Sequence, residues 1–344
     1  MDNKIVTFIV PAYNAERYLE KCLSSFLPLG SALEEIEVVI VNDGSNDGTK
    51  EIGEKFTAAF PGIFVQIDKE NGGHGSTINV ASAAARGKYM KVVDADDWVD
   101  TENLELYITA LRRSSADAVI THFHTVHAVS GKRTAIKTGG VQFGKTYSMA
   151  EFMGLGKGAL SCCMFHGITY RTEFYRSCGL SLSEKISYED QEYCTLPFIH
   201  LKTVLFLDLF LYEYLIGSAD QSVSDANQVA RAWQLEQVFW KILRGYKGSE
   251  PLSEAASRYI LYKLAETLQN YYVTMLIRSK DRKKGRREAA RLKRESAAAL
   301  PALEPLAAFR YRLLRAMHYL HISPAHLEIL KKSPLYLWLR AKVR

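Results

Sequence analysis

The sequence predicts an α/β fold: a doubly wound, mainly parallel sheet flanked by helices, followed by a mostly α-helical C-terminal region. Two observations support this. In the N-terminal part, short apolar or β-branched runs alternate with segments of helical periodicity. From Asn227 onward, nearly every segment has the pattern of a helix. Strands that are apolar almost throughout indicate a parallel sheet covered on both faces.

The individual elements follow from these patterns. The predicted strands are Ile5–Val10, Ile36–Val41, Phe64–Ile67, Tyr89–Val93, Val119–His127 and Thr203–Tyr214, with Pro11 ending the first. The predicted helices are Ala15–Leu27, Thr49–Phe60, Gly75–Arg86, Val229–Leu243, Ala255–Ile277 and Arg286–Leu300, and Gly131–Gly144 is expected to be a loop or hairpin. Ligands bind at the carboxyl ends of strands in such sheets, so the polar segments found there are candidate sites.

Composition excludes several classes of protein. The 344 residues are 47% hydrophobic and 24% charged, as in folded globular proteins, so disorder is not expected. The five cysteines show no C-x-x-C spacing, which argues against a disulfide framework or a zinc knuckle. Neither a signal peptide nor an uncharged apolar run of about 18 residues is visible. We therefore expect a cytoplasmic protein with reduced thiols.

Charge is distributed unevenly along the chain. The formal net charge is +6, but residues 278–344 carry +13 and residues 1–277 carry −7. The basic segment Arg278–Arg294 and the aromatic and basic segment Ser333–Arg344 suit a helix lying on an anionic bilayer. The alternative is a solvated helical face over a small core. No recognition motif supports a nucleic-acid role.

The sharpest motif is acidic. Asp94-Ala95-Asp96-Asp97 directly follows a predicted strand. If the backbone is extended, Asp94 and Asp96 point to the same side and could share one ligand. Two neighbouring carboxylates repel each other unless a cation lies beside them, and a hard divalent ion is the usual solution. The alternative is a solvated acidic turn in which Asp97 or Asp100 caps the next helix.

Another polar segment, Asn42-Asp43-Gly44-Ser45, follows the second predicted strand. Asp43 could accept a hydrogen bond from a ligand such as the N–H of a uracil ring. The alternative is a plain turn, since all four residue types favour turns. A calcium loop running from Asp43 to Glu54 is rejected, because a strand rather than a helix precedes it and its third position is serine.

Two further segments could carry chemistry. Glu70–Ser76 is glycine-rich and leads into a helix, so its N–H groups could face an anion; its His74 is ambiguous, because a lone loop histidine is more often structural. Ser187–Glu192 contains paired acids before a helix, which most often form a cap and a solvated first turn. A carboxylate there could also act as a general base.

These segments occur together and in a fixed order, which is more specific than any one of them. They are V-P-A-Y-N-A at Val10–Ala15, V-N-D-G-S-N-D-G-T at Val41–Thr49, N-G-G-H-G at Asn71–Gly75, A-R-G-K-Y at Ala85–Tyr89, D-A-D-D at Asp94–Asp97 and Y-E-D at Tyr188–Asp190. The set resembles the family 2 glycosyltransferases of the GT-A fold. The resemblance is strong over residues 4–105, reasonable to about residue 225, and fades beyond.

The resemblance implies roles for individual residues. Those near the nucleotide-sugar would be Pro11, Tyr13, Asp43, Asn71, Gly73, Arg86, Asp94 and Ala95, with Asp43 on the base and Asp94 near the ribose and sugar. Asp96 would ligate Mn²⁺ or Mg²⁺. Asp190 matches the general base, with Glu189 beside it, and His166 would contact the acceptor.

The resemblance also implies the activity. We expect an inverting, metal-dependent transferase that moves a sugar from a nucleotide-sugar, most often a UDP-sugar, to a hydroxyl of a glycan or lipid-linked acceptor in cell-surface polysaccharide synthesis. The alternative is a non-catalytic nucleotide-sugar-binding protein or a membrane-associated scaffold. A nucleotidyltransferase is disfavoured, because Pro-Ala-Tyr-Asn stands where its basic glycine-rich loop would lie.

The expected organisation follows the same resemblance. A transferase domain would span residues 1–225, with a nucleotide-sugar half over 1–105 and an acceptor half over 106–225. A helical, basic region would span 226–344. We expect the protein in the cytoplasm, with peripheral contact at the inner face of the membrane through that basic region.

Overall fold

The computed structural model describes residues 4–27, 30–218, 225–249 and 251–331. The chain divides into two compact units, Met1–Ala219 with Glu254–Ala256 and Asp220–Ser253 with Ser257–Arg344. The segment Ser333–Arg344, which is predicted to lie on a bilayer surface, falls outside the described residues. Within them, no helix combines the length and the apolar character that crossing a membrane requires.

The first unit is built on one sheet, to which ten strands of the described residues belong. They are β1 (Val6–Ala12), β2 (Ile36–Asn42), β3 (Phe64–Asp68), β4 (Tyr89–Val92), β5 (Trp98–Val99), β6 (Ala118–His127), β7 (Arg133–Ile136), β8 (Thr146–Ser148), β9 (Ile168–Arg171) and β10 (Thr203–Ile216). The order is β3-β2-β1-β4-β9-β6-β10-β5, with β7 on β6 and β8 on β10.

Strand direction explains where the site forms. β1, β2, β3 and β4 are parallel to one another, and β10 is parallel to β6. β9 lies antiparallel between β4 and β6, so these two strands also run in one direction. The carboxyl ends of six strands therefore share one edge, and the amino end of β9 lies at that edge too. The predicted mainly parallel sheet is confirmed.

Helices connect these strands. The α-helices of the first unit are α1 (Glu16–Ser24), α2 (Thr49–Ala59), α3 (His74–Ala84), α4 (Thr101–Arg113), α5 (Met149–Gly154), α6 (Thr172–Ser177) and α7 (Asp190–Tyr193). Short 3₁₀ helices cover Gly30–Glu35, Lys157–Leu160 and Leu196–Ile199. Local chemistry fixes several helix starts. The Asp100 side chain accepts from the backbone N–H of Glu102 at the start of α4, and Ser148 and Glu151 form a capping box at α5.

One predicted boundary was wrong. Pro11 does not end the first strand, because β1 continues to Ala12 and Pro11 pairs with Val41. Pairing of β1 with β4 stops at Ile9. The missing N–H of Pro11 therefore costs no ladder hydrogen bond on that side, which is why proline is tolerated at the end of this strand.

The second unit is helical over its described residues, as predicted. Its helices are α8 (Asp225–Ala230), α9 (Ala232–Gly248), α10 (Glu254–Val273, of which the first three residues group with the first unit), a π-helical turn (Thr274–Arg278), α11 (Arg282–Ala299), a 3₁₀ turn (Pro301–Leu303), α12 (Glu304–Tyr319) and α13 (Pro324–Lys331). An ion pair joins α9 to α11: the Arg291 guanidinium donates to both carboxylate oxygens of Glu236, at 2.9 and 2.6 Å. Such bidentate geometry fixes the relative position of two helices.

Arg86 is bound to a buried glutamate. This residue lies between α3 and the amino end of β4, away from the edge where the carboxyl ends meet. Its Nε donates to Glu37 Oε1 at 2.5 Å, and its backbone N–H donates to Glu37 Oε2 at 2.9 Å. Thr7 donates to the same carboxylate at 2.6 Å. Arg86 thus neutralises a buried glutamate near the amino ends of the strands, and its predicted place near the donor stays a prediction.

Replacing Arg86 tests this structural role. Arg86→Ala should lower the free energy of unfolding by about 1–2 kcal/mol, because it removes a charged hydrogen bond from the buried Glu37 carboxylate. Arg112→Ala, which removes an ion pair with the more exposed Glu35, should cost less than about 1 kcal/mol. Urea unfolding measures both. An Arg86→Ala protein of unchanged stability that has lost affinity for nucleotide would support the donor-site assignment instead.

Candidate functional site

The loop after β2 is held by Asp43. Its carboxylate accepts from Lys69 Nζ at 2.7 Å and from the backbone N–H groups of Gly72 and Gly73 at 2.9 and 2.8 Å. The side chain is only 3% exposed. Asp43 therefore fixes the glycine-rich loop against the end of β2. Its predicted contact with a nucleotide base stays a prediction.

The loop after β1 is tied to the same region. Ser45 accepts from the backbone N–H of Asn14 at 3.0 Å, and the Asn14 side chain accepts from the backbone N–H of Asn46 at 2.9 Å. Asn14 has a left-handed φ of 49°, a conformation that asparagine tolerates better than most residues. Pro11 is buried, whereas Tyr13 is 51% exposed. An exposed aromatic ring thus stands at the carboxyl edge of the sheet.

Glycine is required where the loop of residues 71–75 meets a distant segment. Gly73 has a φ of 83°, and a Cβ there would lie 2.9 Å from the backbone nitrogen of Lys185. A Cβ on Gly75 would lie 2.1 Å from the carbonyl oxygen of Ser183. The Lys185 N–H donates to the Gly72 carbonyl at 2.7 Å. The close approach that glycine allows brings the start of α3 against the segment leading to α7. Asn71 remains exposed at the tip.

His74, the first residue of α3, links the two sides of the site. Its Nε2 lies 2.9 Å from Asp94 Oδ1, and its Nδ1 lies 2.6 Å from Glu189 Oε1. Burial by itself would lower the pKa of His74, but Asp94 and Glu189 outweigh it and raise that pKa well above 6.5. Both ring nitrogens face carboxylates, so the imidazole is held as a cation.

The acidic motif forms a turn, so the extended backbone under which Asp94 and Asp96 would point to the same side is not observed. The backbone N–H of Asp97 donates to the Asp94 carbonyl at 2.9 Å, which closes the turn, and Ala95 is buried in it. Asp97 is also buried: its carboxylate accepts from the Tyr212 hydroxyl at 2.6 Å and from the Leu215 N–H at 2.7 Å. Asp97 therefore anchors the turn to β10, while Asp94 and Asp96 remain partly exposed.

Asp96 lacks a compensating partner. No other described residue donates a hydrogen bond to its carboxylate. Burial and the neighbouring Asp94 raise the pKa of Asp96 to about 6. An acid in this position is stabilised as its anion by a cation. The unbalanced negative charge at Asp96 suits a divalent ion that is ligated by carboxylates.

His166 lies in the same cluster. One ligand atom from each of Asp94, Asp97 and His166 falls within 4.8 Å of the others. The His166 ring stacks on Tyr214 with 4.0 Å between centroids, and burial lowers the pKa of His166 to about 4. Its buried Nδ1 has no hydrogen-bond partner among the described residues. A neutral imidazole nitrogen is thus free for a ligand, although its predicted contact with an acceptor stays a prediction.

Asp190 begins α7, directly after the glutamate that His74 holds. Burial and the adjacent Glu189 raise the pKa of Asp190 to about 6. The Gln191 side chain donates to it at 3.1 Å. Tyr188, just before, has a φ of 73°, which is strained for a non-glycine residue. This carboxylate is ionised at neutral pH yet remains basic enough to accept a proton.

A second acidic group already contains a cation. Ligand atoms of Asp100, His124 and Glu213 lie within 4.8 Å of one another. The Arg133 guanidinium donates to Asp100 Oδ2 at 3.2 Å and through Nε to Glu213 Oε2 at 3.0 Å. Because an arginine already balances these charges, the group is an ion-pair network and a weaker candidate for a metal than Asp94 and Asp96.

Sequence reasoning identified most of these residues but missed two connections. It left His74 ambiguous, and it did not single out Tyr212, whose hydroxyl holds Asp97 and accepts from the Asp94 N–H at 3.1 Å. A histidine between two glycines at a helix start was the available signal for His74. The partner Glu189 lies 115 residues away in the sequence, so the pairing itself could not be read locally.

The comparisons with known proteins agree with this architecture. The sequence model described as Glycosyl transferase family 2 matches residues 7–179. The uncharacterized glycosyltransferase EpsJ of Bacillus subtilis is 30% identical over 214 residues, which cover 61% of this chain and 60% of EpsJ. The poly(ribitol-phosphate) beta-N-acetylglucosaminyltransferase TarS of Staphylococcus aureus is 37% identical over 97 residues, 28% of this chain and 17% of TarS. The chain therefore spans less than two thirds of the length of these curated relatives.

Solved structures show the same fold. The S. aureus TarS 1–349 structure in complex with UDP-GlcNAc superposes with a TM-score of 0.65 at 20% identity, covering 92% of this chain and 91% of that one. The mannosyltransferase PcManGT of Pyrobaculum calidifontis, in complex with GDP-Man and Mn²⁺, has a TM-score of 0.52 at 18% identity, covering 95% of this chain and 88% of that one.

The His74 bridge predicts a pH-dependent stability in the metal-free protein. The folded-state pKa of His74 is raised, so its stabilisation is fully present below pH 6.5 and is lost as the pH rises through the raised value. His74→Gln should therefore be much less stable than the wild type below pH 6.5, and the difference should shrink at high pH. Denaturant unfolding across that range measures it. His200→Gln, at an exposed position, is the control. A His74→Gln deficit independent of pH would contradict the bridge.

Proposed function

Because the chain belongs to glycosyl transferase family 2, we propose that it transfers a sugar from a UDP-sugar to a hydroxyl of a glycan or lipid-linked acceptor, in cell-surface polysaccharide synthesis. One observation carries this proposal. His74 contacts both Asp94 of the acidic turn and Glu189, the neighbour of Asp190. A group that would hold a donor and a group that would deprotonate an acceptor are thereby joined through one side chain.

The donor would lie along the carboxyl edge of β1, β2 and β4. Tyr13 offers an exposed ring there, and Asp43 positions the loop that contains Asn71 and Gly73. Asp94, with Ala95 behind it, would face the ribose and sugar. The UDP assignment is supported by the fold shared with TarS, whose structure was solved with UDP-GlcNAc.

A divalent cation, Mn²⁺ or Mg²⁺, fits the acidic turn. Asp96 would hold it, with Asp94 beside it, since the Asp96 carboxylate forms no ion pair with any residue that the structure describes. When bound, such an ion neutralises negative charge on a diphosphate leaving group. Asp97 is less suited as a ligand, because Tyr212 and Leu215 already occupy its two oxygens.

Asp190 would take the proton from the acceptor hydroxyl. A carboxylate with a pKa near 6 is largely ionised at pH 7 and is a stronger base than an ordinary aspartate. Glu189 cannot easily share that role, because His74 Nδ1 contacts its carboxylate at 2.6 Å. Attack of the acceptor on the face opposite the leaving diphosphate would invert the anomeric configuration in one displacement. His166, with its free Nδ1, would contact the acceptor.

The setting of the reaction is part of the proposal. We place the protein in the cytoplasm, in peripheral contact with the inner face of the membrane, where lipid-linked acceptors are assembled. The basic C-terminal region would make that contact. The alternative, a non-catalytic nucleotide-sugar-binding or scaffold protein, differs from this proposal in one measurable property, which is turnover.

Donor hydrolysis provides the first test, since water can replace an unknown acceptor. A panel of UDP-sugars with Mn²⁺ should give UDP release from one of them, and Asp96→Ala should reduce the rate about 100-fold or more. Glu173→Ala, which removes a carboxylate that is 91% exposed, should not change it. Binding of a UDP-sugar without release would indicate the non-catalytic alternative, and no binding of any UDP-sugar would refute the donor assignment.

The pH dependence of the same reaction tests the base. Asp190 must be ionised to accept a proton, so kcat should fall about tenfold per pH unit below its pKa of about 6 and level off above it. Asp190→Asn should lose roughly 10²- to 10⁴-fold in rate and lack this acidic limb. Saturating Mn²⁺ keeps Asp96 ionised during the titration. An acidic limb that persists in Asp190→Asn would assign the base elsewhere.

A further inference from the structure

One face of the second unit is strongly basic. It is formed by α11 and α12, which lie side by side: the Arg282 guanidinium donates to the His318 carbonyl, and Lys293 pairs with Glu304 at 3.0 Å. Seven lysines and arginines are exposed on these helices, and six of them, all but Lys284, are grouped here as one basic face. This basic face comprises Lys283, Arg286, Arg287, Arg294, Arg312 and Arg315.

The charges of the basic face are largely uncompensated. Arg287 pairs with Glu288 at 3.2 Å, but the other five form no ion pair with any residue in the described part of the chain. Arg291 shows the contrast on the same helix, because it contacts Glu236, Glu288 and Glu295 and serves packing. Positive charge that is not engaged in an internal ion pair is available for an anionic partner.

Two apolar side chains are exposed where α12 ends. At the end of α12, Tyr319 is 53% exposed and Leu320 is 73% exposed. The guanidinium carbons of Arg286 and Arg315 each lie 5.8 Å from the centre of the Tyr319 ring. The exposed Tyr319 ring, bordered by two arginines and followed by the exposed Leu320, combines apolar contact with anion contact.

We propose that this basic face docks on a bilayer that contains anionic phospholipid. The arginines and lysines would contact lipid phosphates, while Tyr319 and Leu320 would enter the boundary between headgroups and acyl chains. A soluble anionic polymer would engage the charges but gain nothing from the two apolar side chains. Docking of this face on a bilayer gives a structural basis to the membrane contact named in the proposed function. Only the purpose of that contact, which is to bring the active site to lipid-linked acceptors, rests on the proposed function.

Co-sedimentation of the full chain with phospholipid vesicles tests the proposal. The wild type should bind phosphatidylcholine vesicles containing phosphatidylglycerol, bind pure phosphatidylcholine weakly, and dissociate as salt is raised. Lys283→Gln/Arg286→Gln/Arg315→Gln should lower partitioning about 100-fold. Tyr319→Ser/Leu320→Ser should lower it about tenfold.

Matched variants in the first unit serve as controls. Lys55→Gln/Arg113→Gln/Lys132→Gln removes the same charge from exposed positions, and Leu106→Ser/Val129→Ser removes exposed apolar side chains. Both should bind vesicles like the wild type.

If the charge control lost as much vesicle binding as the triple variant of the basic face, net charge alone would explain the loss, and the proposal would be overturned. Full competition by soluble polyphosphate, together with wild-type binding by Tyr319→Ser/Leu320→Ser, would identify an anionic polymer as the partner instead. UDP release should be unchanged in every variant, so failure of vesicle binding and failure of the proposed transfer are separately visible.

Discussion

The candidate site depends on the charge balance around His74. Asp94 and Glu189 both contact its imidazole, and Asp96 and Asp190 stand beside those two acids in the sequence. Burial, and then repulsion from the neighbouring carboxylate, raise the pKa values of Asp96 and Asp190, and the charge of His74 offsets only part of that rise. The remaining charge is what a divalent cation and a reacting hydroxyl would meet. The same electrostatics therefore hold the site together and leave it reactive.

The fold supplies the geometry for this balance. Parallel strands bring the ends of β1, β2 and β4 to one edge, and antiparallel β9 delivers His166 there from a later part of the chain. Glycines at 73 and 75 let the backbone of the loop approach the segment at Ser183–Lys185. Asp97 serves as an anchor to Tyr212, and this frees its neighbours for ligands. Each of these contacts is long-range in the sequence, so the site exists only in the folded first unit.

The sequence predicted the sheet well because its strands are short, apolar and bounded by turn residues. The errors have local physical causes. Pro11 continues β1 because β4 has already ended beside it, and the Asp94–Asp97 segment forms a turn because Asp97 bonds to β10. The ion pair of Arg86 with the buried Glu37 could not be read from the motif that contains Arg86, because the two residues lie far apart in the sequence. β9 was not predicted, since four residues give too little pattern to detect. The roles of the remaining site residues rest on the resemblance and await experiment.

The position of a bound cation shows whether the Asp96 carboxylate is the metal ligand. Crystals grown with UDP and Mn²⁺ would locate the ion through its anomalous scattering. We expect an anomalous peak in contact with the Asp96 carboxylate, with His74 still bonded to Asp94 and Glu189. A peak between Asp97 and His166 that leaves Asp96 unliganded, or one at Asp100, His124 and Glu213, would contradict it.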